Sequence, residues 1–344
     1  MFFFVFGLPG RFAQWCDALT VELAGLALGP NGLSHAETLD QLALNALTTG
    51  ASQGVVAARQ PGGKLRAALG HDRRDLIVAL DDPRPALVDL VLGQGVGLAA
   101  ATQMVASSCG ALWDWAAMPG ALILHADRDA PQPAATAAAI ARHLRIAVDD
   151  AALTGILRDL ACASPVRPPH DTSQWWNALQ PAEQQMVIGA LEPYVADEDR
   201  ELSAIIWTRE LFFLADRPTE RVAGPVDITG RARGLLEGPH IMLPPGAWSL
   251  SLSALLSRGA VEHEFLVEIA ADRPLAAGAL RPQRDGRAQI RLDFVLDALT
   301  ERPLAIRLSS TRAAFDGAIL IDRVTLLRAG AASAEAASAP AAAD

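Results

Sequence analysis

The segment Phe2-Phe3-Phe4-Val5-Phe6-Gly7-Leu8-Pro9-Gly10-Arg11 decides how the first half of this 344-residue chain is read. Five consecutive apolar residues, rich in phenylalanine, have the composition of a strand buried on both faces. Gly7-Leu8-Pro9-Gly10 then breaks the run as a turn. Trp15, Leu19, Leu23 and Leu26 follow at helical spacing. Strand, Gly/Pro turn and helix is the layout in which a helix N-terminus meets a phosphate. The turn lacks the side chains that would hold one.

Working outward, composition narrows the function classes. Hydrophobic residues make up 51% of the chain, so cores can form without disulfides. A formal net charge of −10 argues against a nucleic-acid surface, which needs a basic patch to neutralise phosphates. Lys64 is the single lysine, and every other basic residue is arginine. Cys16, Cys109 and Cys162 are far apart, which fits reduced thiols and no zinc knuckle. The apolar start has no basic n-region and is interrupted at Gly7-Leu8-Pro9, so it reads as a first strand and not a signal peptide. Leu87–Leu112 comes nearest to a membrane span, but Asp89, Gln94 and several glycines argue against one. A cytoplasmic location is expected.

Residues 1 to about 165, within an expected first domain over 1–200, alternate strand-like and helix-like segments. Strands are expected at Phe2–Phe6, Gly54–Ala58, Leu76–Leu80 and Ala121–His125. Helices are expected at Arg11–Leu28, Ser34–Leu47, Pro85–Leu92, Ala134–Leu144 and Asp149–Ala161. This order implies a three-layer α/β domain around a parallel sheet. Ser34 with Glu37 reads as a capping box, and Pro85 suits a first helical turn. A Pro-rich connector over 163–169 leads to Trp175-Trp176 and a helix from Pro181 to about Val195. The acidic run Asp197-Glu198-Asp199 closes the domain.

From 201 to 328 the period changes to two. Trp248–Leu252, Glu264–Ile269, Ala288–Phe294, Leu304–Leu308 and Ile321–Leu326 alternate, with turn signals at Pro244-Pro245-Gly246, Arg284-Asp285-Gly286 and Asp316-Gly317. That pattern predicts an all-β antiparallel sandwich, jelly-roll-like. Residues 329–344 form an Ala-rich tail expected to be disordered.

Four segments of the first half, in order, resemble bacterial sulfotransferases of the P-loop nucleoside triphosphatase fold. Val5-Phe6-Gly7-Leu8-Pro9 with Trp15 is similar to that family's 5′-phosphosulfate loop. Leu76-Ile77-Val78-Ala79-Leu80-Asp81-Asp82-Pro83-Arg84-Pro85-Ala86 resembles its strand and R-D-P-R-D segment for the 3′-phosphate. Ala121-Leu122-Ile123-Leu124-His125-Ala126-Asp127 and the helix to Leu144 and Ile146 resemble its Y-E-D-L strand and following helix. Trp175-Trp176-Asn177-Ala178-Leu179 with Pro181-Ala182-Glu183 is similar to its late tryptophan segment. The resemblance implies 3′-phosphoadenosine 5′-phosphosulfate as donor, held by Gly7, Pro9, Gly10, Arg11 and Arg84. It also implies a base for the acceptor hydroxyl, for which His125, His35 and His71 are candidates.

The departures from that pattern point the other way. Phe12 stands for a glycine that lets backbone approach phosphate, and Ala13 and Gln14 stand for two hydroxyl residues. Asp81 aligns with the family arginine and Asp89 with its serine, both ligands of the 3′-phosphate. Carboxylates facing a dianion in a partly dry site cost on the order of several kcal/mol. That offsets most of a micromolar affinity of about 8 kcal/mol. No bound cofactor is therefore expected.

In the second half, Val226–Arg233 and Gly238–Trp248 resemble a β-sandwich module of alphaproteobacterial-type proteins, and Pro244-Pro245-Gly246-Ala247-Trp248 is similar to the start of a strand in sugar-binding-like sandwiches. Trp248, His240, Arg231 and Arg233 are the candidate glycan platform, against the plainer reading of Trp248 as core.

Other motifs have plainer readings. Pro61-Gly62-Gly63-Lys64 reads as a surface turn. Gly93-x-Gly95-x-Gly97 reads as close helix packing, and Trp113/Trp115 as a strand or interface edge. Asp82 reads as a helix cap in preference to a Mg²⁺ ligand, and no metal site is expected. The chain is thus expected to be a non-catalytic binding or assembly protein with a glycan or protein partner. An active sulfotransferase, or another nucleotide-donor transferase, is the alternative.

Overall fold

The computed structural model describes residues 2–29, 33–50, 53–69, 75–160, 172–195, 202 and 204–329. The 163–169 connector, the acidic run at 197–199, Cys162, His71 and the tail from 330 lie outside the described residues. The chain divides into two compact units, Met1–Leu179 and Gln180–Asp344.

The first unit holds β1 (Phe2–Gly7), α1 (Arg11–Leu28), β2 (Leu33–Ala36), α2 (Leu39–Thr49), β3 (Gln53–Ala58), α3 (Gly63–Leu69), β4 (Leu76–Leu80) and α4 (Pro83–Val88). A π-turn over Asp89–Gly93 follows. Then come α5 (Leu98–Leu112), β5 (Leu122–His125), α6 (Ala126–Asp129), α7 (Pro133–His143), α8 (Asp150–Asp159) and α9 (Thr172–Ala178). The strands pair in the order β2-β3-β1-β4-β5, all parallel. The expected parallel α/β architecture is what forms.

Central β1 is buried because helices cover both its faces. On one face Phe3 and Val5 pack with Phe12, Trp15, Leu19 and Leu23 of α1, Ile140 of α7 and Ile156 of α8. On the other, Phe6 meets the Trp115 ring edge-on at 4.8 Å. Cys16 and Cys109 are free, buried thiols whose pKa burial pushes up.

Several local expectations are corrected. Leu33–Ala36 is a strand on β3, not the start of a helix. Its Ser34 hydroxyl accepts from Asn45 Nδ2 at 2.9 Å instead of capping. Thr38 caps α2, accepting the Gln41 N–H at 3.1 Å. The buried strand environment, with Ser34 6% exposed, outweighs a local capping pattern. Trp113 ends α5 and Trp115 opens a 3₁₀ turn, its Nε1 donating to Pro61 O at 3.4 Å, so neither lies in a strand. Lys64 sits in the first turn of α3. A Cβ on Gly93, Gly95 or Gly97 would meet nothing within 4 Å, so close packing does not explain these glycines. Gly95 instead takes φ +70 and Gly97 caps α5. Asp82 caps α4 as read, accepting the Arg84 N–H at 2.9 Å.

The second unit begins with α10 (Pro181–Leu191), which packs on the strand after it, so this helix falls with the sandwich and not with the first unit. Gly189 makes that approach possible, since a Cβ there would come within 2.6 Å of Ile206 O. The strands are β6 (Ile205–Thr208), β7 (Phe213–Leu214), β8 (Arg217–Arg221), β9 (Val226–Asp227), β10 (Gly234–Ile241) and β11 (Gly246–Leu256). They continue with β12 (Phe265–Ala270), β13 (Pro274–Leu280), β14 (Gly286–Leu296), β15 (Leu304–Ser310) and β16 (Ala318–Arg328). One antiparallel sheet runs β13-β12-β15-β10-β7-β8 and the other β14-β11-β16-β6, with β9 on β16. Alternate residues of β11, β12, β15 and β16, among them Leu250, Leu252, Val267, Ile306 and Val324, are buried and supply the sandwich core. Among the described residues no helix is long and apolar enough to cross a membrane.

Candidate functional site

In open α/β sheets, ligands sit beyond the carboxyl ends of the strands, where strand order reverses. Here that edge is formed by Gly7, Asp81 and His125, each at or just beyond a strand end. The β1–α1 connection is only Leu8-Pro9-Gly10, and all three residues are buried. The Gly10 N–H turns inward to Leu8 O at 2.7 Å. Gly7 is pinned as well, since a Cβ there would lie 2.5 Å from Ala13 Cβ and 2.8 Å from Ala79 O. Phe12, 2% exposed, stacks on Trp15 in the core, 6.3 Å between ring centroids.

The head of α1 is engaged from within the molecule. Asp89 Oδ2 accepts the Arg11 backbone N–H at 3.2 Å, and its Oδ1 lies 3.6 Å from Arg11 Nε. Arg84, in the first turn of α4, lies 3.7 Å from Asp82 through its Nε. Each candidate phosphate-binding arginine thus faces its own local carboxylate. Asp81 Oδ2 is 3.9 Å from where a Gly10 Cβ would stand. Its pKa is pushed up to about 6, first by burial, against a hydrogen bond from the Asp82 backbone, and further by the charges of Asp82, Asp89 and Asp127. Asp82, Asp89 and Asp127 thus add to burial in raising Asp81 at this edge.

The candidate bases are not brought together. His125 lies at the edge, half-buried, its backbone N–H donated to Asp129 Oδ2 at 2.6 Å. His35 pairs through Val55 with the level of Phe3, four residues before Gly7. At about 3.3 Å per residue that is roughly 13 Å short of the edge. There its Nε2 lies 3.1 Å from both oxygens of Asp17 on α1. This hydrogen bond holds the His35 pKa above its usual value, while burial opposes it. Arg59 also approaches Asp17, at 3.9 Å. The sequence reading missed the Asp17 and Arg59 partners, because they come from separate segments with no shared motif.

In the sandwich, Trp248 is 1% exposed and donates Nε1 to Pro244 O at 3.1 Å. It is core, so it offers no face to a sugar, and the glycan-platform reading of this residue is corrected. His240 belongs to the other sheet. It is exposed, takes φ +59 and lies 6.1 Å from the Phe213 ring, and burial against its neighbours pushes its pKa down. Arg233 donates to Asp227 O at 2.8 Å and approaches Asp216, while Arg231 is exposed. The loops after β9, β11 and β15 surround a shallow cleft of about 530 Å³ lined by Asp227, Thr229, Ser257, Arg258 and Asp316. A second cleft of about 560 Å³, with Glu262, Arg284 and Asp285 in its wall, shares Arg258 with the first. Among the described residues no group of His, Cys, Asp and Glu could hold a metal ion.

No protein-family model matches the chain, and no curated protein matches it. Among solved structures, the mouse sulfotransferase SULT7A1 complexed with PAP is similar over 58% of this chain and 84% of its own, at 9% identity and TM-score 0.41. The CBM36-1 domain of a multidomain xylanase from the hindgut metagenome of Trinervitermes trinervoides is similar over 37% of this chain and 99% of its own, at 11% identity and TM-score 0.27. The C-terminal CBM6 of the laminarinase LamC from Zobellia galactanivorans covers 37% of this chain and 100% of its own, at 10% identity and TM-score 0.24. Likeness at this level says nothing about activity.

Proposed function

We propose that this chain is a binding or assembly protein without transferase activity, its α/β unit a scaffold and its sandwich the part that meets a glycan or a protein partner. The observation that carries this reading is the Asp89 carboxylate on the Arg11 N–H at the head of α1. A helix N-terminus attracts one anion through unpaired N–H groups and the helix dipole. Here an internal anion already stands there, and the Arg11 guanidinium beside it is engaged by the same carboxylate. A nucleoside phosphosulfate would have to displace Asp89 and approach Asp81, half-buried beside Gly10, whose pKa is raised by burial first and by its acidic neighbours after that. The three-residue connection offers no open cradle of N–H groups. These residues do not fit the nucleotide, and no sulfuryl-transfer step follows from them.

Calorimetric titration with 3′-phosphoadenosine 5′-phosphate tests this reading. The expected result is no heat and no thermal shift at millimolar nucleotide. Micromolar binding that Arg11→Ala abolishes would overturn it and support the sulfotransferase alternative.

A further inference from the structure

We propose that the two joined clefts at the loops of the sandwich bind a neutral oligosaccharide, with Phe315 as the ring on which one sugar stacks. This rests on the reading of the sandwich as the ligand-meeting unit and names its site and ligand class.

Phe315 is 101% exposed, in the loop between β15 and β16. A phenylalanine left wholly in water gives up its burial energy with no return in the folded state. It sits one residue before Asp316, which lines the first cleft. The loop is braced rather than loose. A Cβ on Gly317 would come within 2.8 Å of the Gly259 backbone, so these two loops touch main chain to main chain. Ser257 locks the contact, its N–H donating to Ala318 O at 3.0 Å and its hydroxyl accepting the Ala318 N–H at 2.9 Å. Glu262, in the wall of the second cleft, holds φ +67, a conformation that costs a non-glycine residue energy and clusters at ligand sites. A platform fixed in advance loses little order on binding.

Charge selects the ligand class. Arg258 belongs to both clefts and, among the described residues, no carboxylate pairs with it. Asp227 and Asp316, each holding one backbone N–H, line one side and Glu262 and Asp285 with Arg284 the other, so both signs are present, with carboxylates in excess. An anion would meet the carboxylates and a cation the arginines. A neutral polyol donates to the carboxylates and accepts from the guanidinium at once. Its C–H face suits the electron-rich face of the phenyl ring. Two clefts joined at Arg258 suit a chain of sugars.

The full chain titrated by calorimetry with linear neutral hexasaccharides of glucose, xylose, mannose and galactose tests the proposal. At least one should bind, and Phe315→Ala and Arg258→Ala should each weaken it about tenfold or more with an unchanged Tm. Failure of every hexasaccharide to bind at millimolar concentration, or wild-type affinity in Phe315→Ala, would overturn it. Nucleotide binding by the α/β unit would overturn the scaffold reading and leave this site standing. Sugar binding that survives Phe315→Ala would remove this site and leave that reading.

Discussion

The Asp89 carboxylate accepts the backbone N–H of Arg11 at 3.2 Å and stands 3.6 Å from the Nε of the same residue. Helix α1 begins after Gly10 with no side-chain cap and no acidic residue in its first turn. The missing anion is supplied from 78 residues further along the chain. Asp89→Asn keeps an acceptor and removes the charge. Its cost should be about 1 kcal/mol at low salt, the scale of a dipole contact plus a half-exposed ion pair. Urea unfolding at low and high ionic strength measures it, and the difference should shrink as salt screens the charges. A variant as stable as wild type at low salt would mean that the contact is solvent-screened.

Asp81 gives a pH dependence of opposite sign to an ordinary ion-paired carboxylate. Its folded pKa is raised to about 6 from an ordinary 3.8, so the folded state holds its proton longer than the unfolded chain. Stability therefore falls as pH rises between those values, and the cost of ionisation is fully present above the folded pKa. At about 1.4 kcal/mol per unit the cost is on the order of 2–3 kcal/mol. Asp81→Asn should raise stability by that order at pH 7.5 and confer nothing near pH 4. Denaturant unfolding of both proteins across this range reads the difference. A gain independent of pH would assign the effect to packing.

Much of the fold is legible in the sequence because its causes are local. The buried run Phe2–Phe6, the Leu76–Leu80 strand and the Asp82 cap each carry their signal within a few residues. The Leu33–Ala36 strand does not, because its pairing with β3 is non-local and a capping pattern overlies it. The site was legible only as a set of departures. That Asp81 and Asp89 depart from the phosphate ligands of the sulfotransferase-like pattern could be read along the chain as an expectation. That Asp89 turns onto Arg11 depends on the π-turn at Asp89–Gly93, which has no sequence signature. Trp248 reads along the chain as core before platform, and its burial at 1% exposure with Nε1 donated to Pro244 O decides for core.

The end of β1 tolerates no side chain. A Cβ on Gly7 would stand 2.5 Å from Ala13 Cβ and 2.8 Å from Ala79 O, and neither can swing away. Gly7→Ala should cost about 2–4 kcal/mol, the range of overpacking and backbone shift in a closed core. Gly97 is the internal control. It caps α5 at φ −60 with open space around its Cβ position, so Gly97→Ala should change stability by less than about 1 kcal/mol. Equal losses in the two variants would mean that the strand end can relax around a methyl group.

His35 tests the second polar cluster of the α/β unit, away from the carboxyl edge of the sheet. The hydrogen bond to Asp17 raises its pKa, the Glu37 charge adds to this, and burial and Arg59 oppose it. The imidazole of the full chain, followed by NMR, should titrate above 6.5. In Asp17→Asn the main upward cause is removed and only the Glu37 charge remains against burial and Arg59, so the titration should move down from its wild-type value. The linkage follows from the sign. A raised histidine pKa contributes stability that is fully present below the unfolded value and is lost as pH rises through the folded one. The pH-dependent portion of the stability difference between wild type and Asp17→Asn should therefore be greatest in mild acid and fade toward pH 8. A His35 titration unmoved by the substitution would mean that the pair does not persist in solution.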